Sequence, residues 1–176
     1  MRKRVVLILF ILQMAFLNNV SASHHTVYDL YKLKAAFIYN FIKYIQWPDD
    51  TGTRVNLCLF TDDKIFESIN EVIKDKLLNG KKLIVLNMKE VGLNQNNECD
   101  IVFISKLFEN TLELLLSAFN NSPVLTIGES EEFERLGGII IFFIEDNKIR
   151  FKINNSAARQ SNLTISSHLL KLSYGN

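Results

Sequence analysis

The chain has 176 residues, 48% of them hydrophobic and 22% charged, with only 7 Gly and 2 Pro. That length reads as one domain, and that apolar content can bury a full core, which excludes disorder, low complexity and collagen-like repeats. Its 20 basic and 19 acidic side chains leave a net +1, which argues against a nucleic-acid binder with its clearly basic footprint.

In chain order, Arg2, Lys3 and Arg4 precede an apolar run from Val5 to Leu17 broken only by Gln13, and Val20-Ser21-Ala22 then supplies small residues. A basic start, a greasy core and a small-residue exit are the parts of a secretory signal peptide. The rival, an uncleaved anchor, is short of the mark. The 13 residues of the run span about 20 Å as a helix, against a hydrocarbon core of ~30 Å. We therefore expect residues 1–22 to be removed and 23–176 to form one domain outside the cytosol, with no membrane insertion after cleavage. The mature chain carries 17 basic and 19 acidic side chains, since Arg2, Lys3 and Arg4 leave with the signal, for a net −2.

A helix is predicted over Val27–Ile45. Asp29, Lys32, Ala36, Asn40 and Lys43 form a narrow stripe, and Leu30, Leu33, Phe37, Ile38, Phe41, Ile42 and Ile45 fill most of the rest, with Lys34 the one intruder. So wide an apolar sector packs over a large area, and Trp47-Pro48 stops it. Val55–Phe60 reads as a strand. Asp62 or Asp63 caps a helix carrying Ile65, Phe66, Ile69, Ile73 and Leu77, with Gly80 as its C-cap. Leu83–Leu86 is a second strand, and the amide-rich segment from Asn87 to Glu98 a loop. Ile101–Ile104 is a third strand, followed by a helix with Phe108, Leu112, Leu115 and Phe119 on one face.

Pro123 opens a fourth strand, Val124–Ile127, and a short acidic helix covers Glu131 to Leu136. The continuous run Ile139–Ile144 fits a strand buried on both faces. Glu145 to Lys148 is a hairpin turn into a strand where Ile149, Phe151 and Ile153 alternate with Arg150 and Lys152. Two short helices close the chain from Asn154 to Leu172. The sum is an α/β, single three-layer domain: a mostly parallel sheet with helices on both faces and a C-terminal antiparallel hairpin.

Chemistry-bearing motifs are scarce. The sequence has no G-x-S-x-G, P-loop, H-E-x-x-H or G-x-G-x-x-G. Of the three histidines, His24 and His25 flank the cleavage point and His168 sits on the last helix as a surface residue. Glu129, Glu131, Glu132 and Glu134 read as a solvated helix start meeting the helix dipole. Gly137-Gly138 ends that helix and permits close backbone approach. No metal, cofactor or catalytic residue is expected.

Cys58 and Cys99 are the informative pair. They are not C-x-x-C, so thioredoxin-type chemistry is disfavoured. Outside the cytosol they either pair or stay as two buried thiols. A bond would close a loop worth roughly 4 kcal/mol of chain entropy. It requires the first and third strands to be neighbours and staggered, as the flavodoxin-like order 2-1-3-4-5 makes them.

Several segments then resemble one family. Leu33-Lys34-Ala35-Ala36-Phe37-Ile38-Tyr39-Asn40-Phe41 through Trp47-Pro48, Leu57-Cys58-Leu59, Cys99-Asp100-Ile101-Val102-Phe103-Ile104 and Pro123-Val124-Leu125-Thr126-Ile127 resemble, in order, the YfiR family of periplasmic proteins. Gly137-Gly138-Ile139-Ile140, Arg150-Phe151-Lys152-Ile153-Asn154 with Ala157-Ala158, and Ile165-Ser166-Ser167-His168-Leu169-Leu170 continue the likeness to Leu172. The resemblance implies a non-enzymatic periplasmic regulator that binds the periplasmic sensor region of an inner-membrane diguanylate cyclase, lowering cyclic di-GMP and biofilm formation. It also implies that Cys58 and Cys99 are bonded. Some relatives carry a second cysteine pair near Glu134 and Ile141, which this chain lacks, and Lys152 stands where the family's R-F-E-I-N ending has an acid.

The expected partner-binding residues are Lys43, Trp47 and Pro48 at one corner, and Arg150, Lys152 and Asn154 on the last strand. A homodimer is left open. Two other readings stand beside the repressor. One is a small-ligand sensor feeding a membrane sensor kinase, its pocket lined by Trp47, Tyr44 or Phe151. The other is a hydrolase or thiol enzyme with an unrecognised site.

Overall fold

The computed structural model describes residues 27–48, 52–91 and 99–175. The expected signal peptide, His24, His25 and most of the predicted loop before Cys99 lie outside the described residues.

The first helix, α1, runs Val27–Ile42. Asp29, Asn40 and Lys43 face water, while Ala35, Ile38, Phe41 and Ile42 are buried. It stops short of the expected Ile45. Lys43 and Tyr44 donate their N–H groups back to Asn40 and Phe41, and Ile45–Gln46 becomes a short strand, β1. Its partner is Thr164–Ile165 near the other end of the chain, so tertiary pairing, not Pro48, ends the helix.

The strand β2 spans Arg54–Phe60 and leads to α2, Asp63–Ile73. Asp62 is the cap, its Oδ1 accepting from Ile65 N at 2.8 Å. The helix ends at Ile73, short of Leu77. Leu77–Leu78 instead forms β3, antiparallel to β4, Lys81–Asn87. Between them Asn79 and Gly80 both have positive φ, 50° and 83°, which is the two-residue turn that Asn-Gly favours. Gly80 is therefore a hairpin residue and no helix cap. A single helical turn, α3, covers Met88–Val91 at the start of the predicted loop.

The third main strand, β5, is Ile101–Ile104. The helix expected after it is divided into a 3-10 segment, Lys106–Thr111, itself kinked at Phe108, and α4, Leu112–Ala118, with the non-helical Thr111 at their junction. Next come β6, Leu125–Gly128, and α5, Glu131–Arg135. Gly138 N–H bonds Phe133 C=O and Gly137 N–H bonds Glu134 C=O, a Schellman ending with Gly137 left-handed at φ 86°. A Cβ on Gly138 would lie 1.9 Å from the Phe133 ring; both glycines do what their positions suggested.

The strands β7, Ile140–Glu145, and β8, Lys148–Ile153, form the expected hairpin. Only the first half of β7 is buried on both faces; Ile144 is 56% exposed. The chain ends with α6, Asn155–Gln160, then β9, Thr164–Ile165, then α7, Ser167–Leu172.

The strand order in the main sheet is β3-β4-β2-β5-β6-β7-β8. Pairing from β4 through β7 is parallel, and β3 and β8 are antiparallel additions at the two edges. Strand alternation divides the core in two. Leu57, Leu59, Ile101, Phe103 and Phe142 pack with α1 and α2, whereas Cys58, Phe60, Val102, Ile104 and Ile141 pack with α4 and Phe133 of α5. Among the described residues no helix is long and apolar enough to cross a membrane.

Candidate functional site

The two cysteines meet because β2 and β5 are neighbours, with Cys58 opposite Val102. Asp100 N–H bonds Asn56 C=O at 3.0 Å, and Asn56 N–H returns a bond to the Asp100 carboxylate at 2.7 Å. That exchange draws the segment before β5 alongside β2. It sets Cys58 and Cys99 with Cα atoms 5.8 Å apart, joined as a disulfide.

Beside this bridge, at the amino-terminal ends of the parallel strands, opens a cleft of about 390 Å³. Trp47, Pro48, Arg54, Cys99, Phe119 and Val124 are among its walls. The Trp47 indole Nε1 is buried and has no acceptor among the described residues. A recess whose walls combine apolar side chains with Arg54, Lys81 and Asp100, and which holds a stranded donor, suits a small molecule or side chain that carries a hydrogen-bond acceptor.

The expected corner only partly assembles here. Trp47 and Pro48 share the cleft wall, but Lys43 does not line it. Its Nζ donates to Asn40 Oδ1 at 3.2 Å and sits 4.1 Å from the centre of the Tyr39 ring. Nor do the other two aromatics proposed for a ligand pocket reach it. Tyr44 lies against His168, ring centres 5.2 Å apart. Phe151 is buried in the main core against Phe41 at 4.6 Å, since alternation along β8 turns it inward.

On β8 the three suspects have different standings. Arg150 is exposed, with Glu145 at 3.8 Å. Lys152 is half-buried, its Nζ 3.1 Å from Glu134 Oε2 and 5.6 Å above the Phe143 ring. Asn154 caps α6, its Oδ1 accepting from Ala157 N at 3.0 Å. One of the three thus has a structural duty, and one is partly neutralised.

The strongest polar cluster escaped the reading of the sequence. Glu129, expected at a solvated helix start, follows β6 and is largely buried, with side-chain exposure of 7% against 10% for its partner Lys34. Its carboxylate accepts from Lys34 Nζ at 2.5 Å, Tyr31 OH at 3.0 Å and Lys106 N–H at 3.0 Å. Burial, followed by the charge of Glu129, holds the Tyr31 hydroxyl pKa well above its ordinary value. The cluster pins α1 to the carboxyl ends of β5 and β6. The available signal was Lys34 itself, a cation inside an apolar sector, which demands a buried partner.

Among the described residues no group of three or more His, Cys, Asp or Glu is placed to hold a metal. His168 is exposed on α7, as expected.

A family model described as YfiR/HmsC-like matches residues 31–174. No curated protein matches the chain. The crystal structure of a conserved domain protein from Vibrio cholerae O1 biovar El Tor str. N16961 is similar with a TM-score of 0.59 at 11% identity, over 82% of this chain and 59% of that one. The chain thus spans 59% of that protein's length, and the likeness is one of fold.

Proposed function

Because this chain belongs to the YfiR/HmsC-like family, we propose that it is a periplasmic regulator that binds the periplasmic region of an inner-membrane diguanylate cyclase and holds it inactive. The observation that carries this reading is the extent of the family match, residues 31–174, which takes in both core layers, the bridged cysteines and the β7–β8 hairpin. A disulfide-linked domain suits an oxidising compartment. We also read the parallel core as flavodoxin-like, supported by the neighbour order β4-β2-β5-β6-β7.

The surfaces we assign to the partner are the exposed side of β8, through Arg150 and Lys152, and the Trp47–Pro48 rim of the cleft. Capture of the exported protein from solubilised membranes tests the reading. A cyclase with a periplasmic region should co-purify, and replacing Arg150 and Lys152 by Gln should weaken its retention. Recovery of no membrane protein under conditions that preserve the fold would contradict it.

The cleft favours a second reading, a small-ligand sensor. Its support is the unpaired Trp47 indole beside a recess walled by both apolar and polar side chains. A compound that raises the unfolding midpoint of the wild type but not of a Trp47→Phe variant would place a ligand there.

A further inference from the structure

The outer side of β8 is covered by two residues that follow α7. Tyr174 N–H donates to Phe151 C=O at 2.9 Å, and Ile153 N–H donates to Ser173 Oγ at 3.1 Å. These bonds show that Phe151 and Ile153 turn their backbone groups away from β7, and by alternation Ile149 does the same. The Tyr174 ring stands edge-on to Phe143 with centres 5.2 Å apart, and its hydroxyl donates to Glu145 at 2.6 Å. Ser173 and Tyr174 therefore lie where one further strand would lie. Ser173 is buried at 7% exposure, but Tyr174 is 47% exposed, and the pair covers only the Phe151–Ile153 half of the edge.

We propose that Ser173 and Tyr174 form a displaceable strap over a strand-addition site, and that the segment replacing them is an extended, acidic stretch of the membrane partner. This rests on the reading above that the protein binds a membrane signalling protein. Edge strands pair with foreign strands unless something occupies them, and here the occupant is a short piece of the chain's own backbone. The chemistry of the incoming strand follows from the side chains. Lys148, Arg150 and Lys152 share one face of β8. A second copy of β8 laid alongside would set like charges opposite one another, which is destabilising. A strand carrying Glu or Asp at alternate positions would face that row with opposite charge, meeting Lys148 directly and sharing Arg150 and Lys152 with Glu145 and Glu134, which lie 3.8 and 3.1 Å from them. On the other face the half-buried Ile149 of β8, with the exposed Ile144 behind it on β7, offers apolar contact to the intervening residues.

The test uses the exported protein and two synthetic peptides, Thr-Glu-Val-Glu-Val-Glu-Thr and its counterpart with Lys for Glu. Two variants release the strap: a chain ending at Leu172, and Tyr174→Pro, which keeps the length but removes the N–H donor and the ring. Unfolding midpoints establish that each is folded. The expected result is that the acidic peptide binds both variants about tenfold more tightly than the wild type. It should slow amide hydrogen exchange at Ile149 and Phe151, and the Lys peptide should do neither. Equal affinity with and without the strap, protection elsewhere than β8, preference for the Lys peptide, or dimerisation of the variants through β8 would each overturn the proposal. No cyclase enters this experiment. Failure here with repression intact would overturn the strap alone, whereas loss of the regulatory reading would show only in cyclase binding and cyclic di-GMP.

Discussion

Replacing Lys34 by Met takes away the ammonium that faces Glu129 while leaving the carboxylate in place, 7% exposed. Removing one partner from a buried ion pair costs about 3–5 kcal/mol, because the remaining charge keeps its desolvation penalty without its counter-ion. Glu129 would still accept from Tyr31 OH and Lys106 N–H, which sets the expected loss at the lower end, about 3 kcal/mol. In a domain of this size that is a fall of about 6–12 °C in unfolding midpoint. The double variant Lys34→Met with Glu129→Leu buries no charge and should recover most of the loss. Urea unfolding of the wild type, both single variants and the double variant closes a cycle, with an expected coupling of about 2 kcal/mol or more. A loss below about 1 kcal/mol for Lys34→Met, the value of a solvent-exposed pair, would refute the claim that this cluster fastens α1 to the sheet.

Removing the Cys58–Cys99 bond, by reductant or by paired Ser substitution, should lower stability by up to about 4 kcal/mol, the entropy of a closed loop of this length; scanning calorimetry with and without reductant measures it. The folded Tyr31 pKa is raised, so the proton is held more tightly in the folded state than in the unfolded chain. Its contribution is flat below the ordinary tyrosine value of 10.0 and declines as pH rises beyond it. Tyr31→Phe should accordingly flatten the alkaline limb of a stability–pH curve. Gly138→Ala should destabilise by about 1–3 kcal/mol through collision with the Phe133 ring, more than Gly137→Ala, where only the backbone conformation objects; equilibrium unfolding ranks the two. Lys152→Glu should cost more than an ordinary surface change, since the new carboxylate would meet that of Glu134 where a 3.1 Å ion pair now stands; Lys152→Gln avoids that, and comparison of the two midpoints checks it.

Local patterns carried much of the architecture. Ile101–Ile104 is a strand at the limits its composition implied, and the alternation from Ile149 to Ile153 placed Phe151 inside and Arg150 outside. The cysteines were informative because a bond between them demands that β2 and β5 be neighbours. Other features depend on partners remote in sequence. Ile45–Gln46 continues the helical spacing, and only Thr164–Ile165, brought alongside by the fold, turns it into a strand. Asn79-Gly80 is a strong hairpin signal, but the spacing of Ile69, Ile73 and Leu77 extended the helix across Leu77. Lys34 announced a buried partner without naming Glu129. The cleft by Trp47 draws on the chain at the starts of β2, β4, β5 and β6, and no single segment records it.

Cyclic di-GMP in the parent strain tests the central claim most directly, measured with the gene intact, with it deleted, and with it and the partner cyclase gene both deleted. The account predicts a rise on deletion, return to the parental level on re-expression of the wild-type chain, and no rise when the cyclase is also absent. A level unchanged by deletion, or a rise that persists without the cyclase, would contradict it.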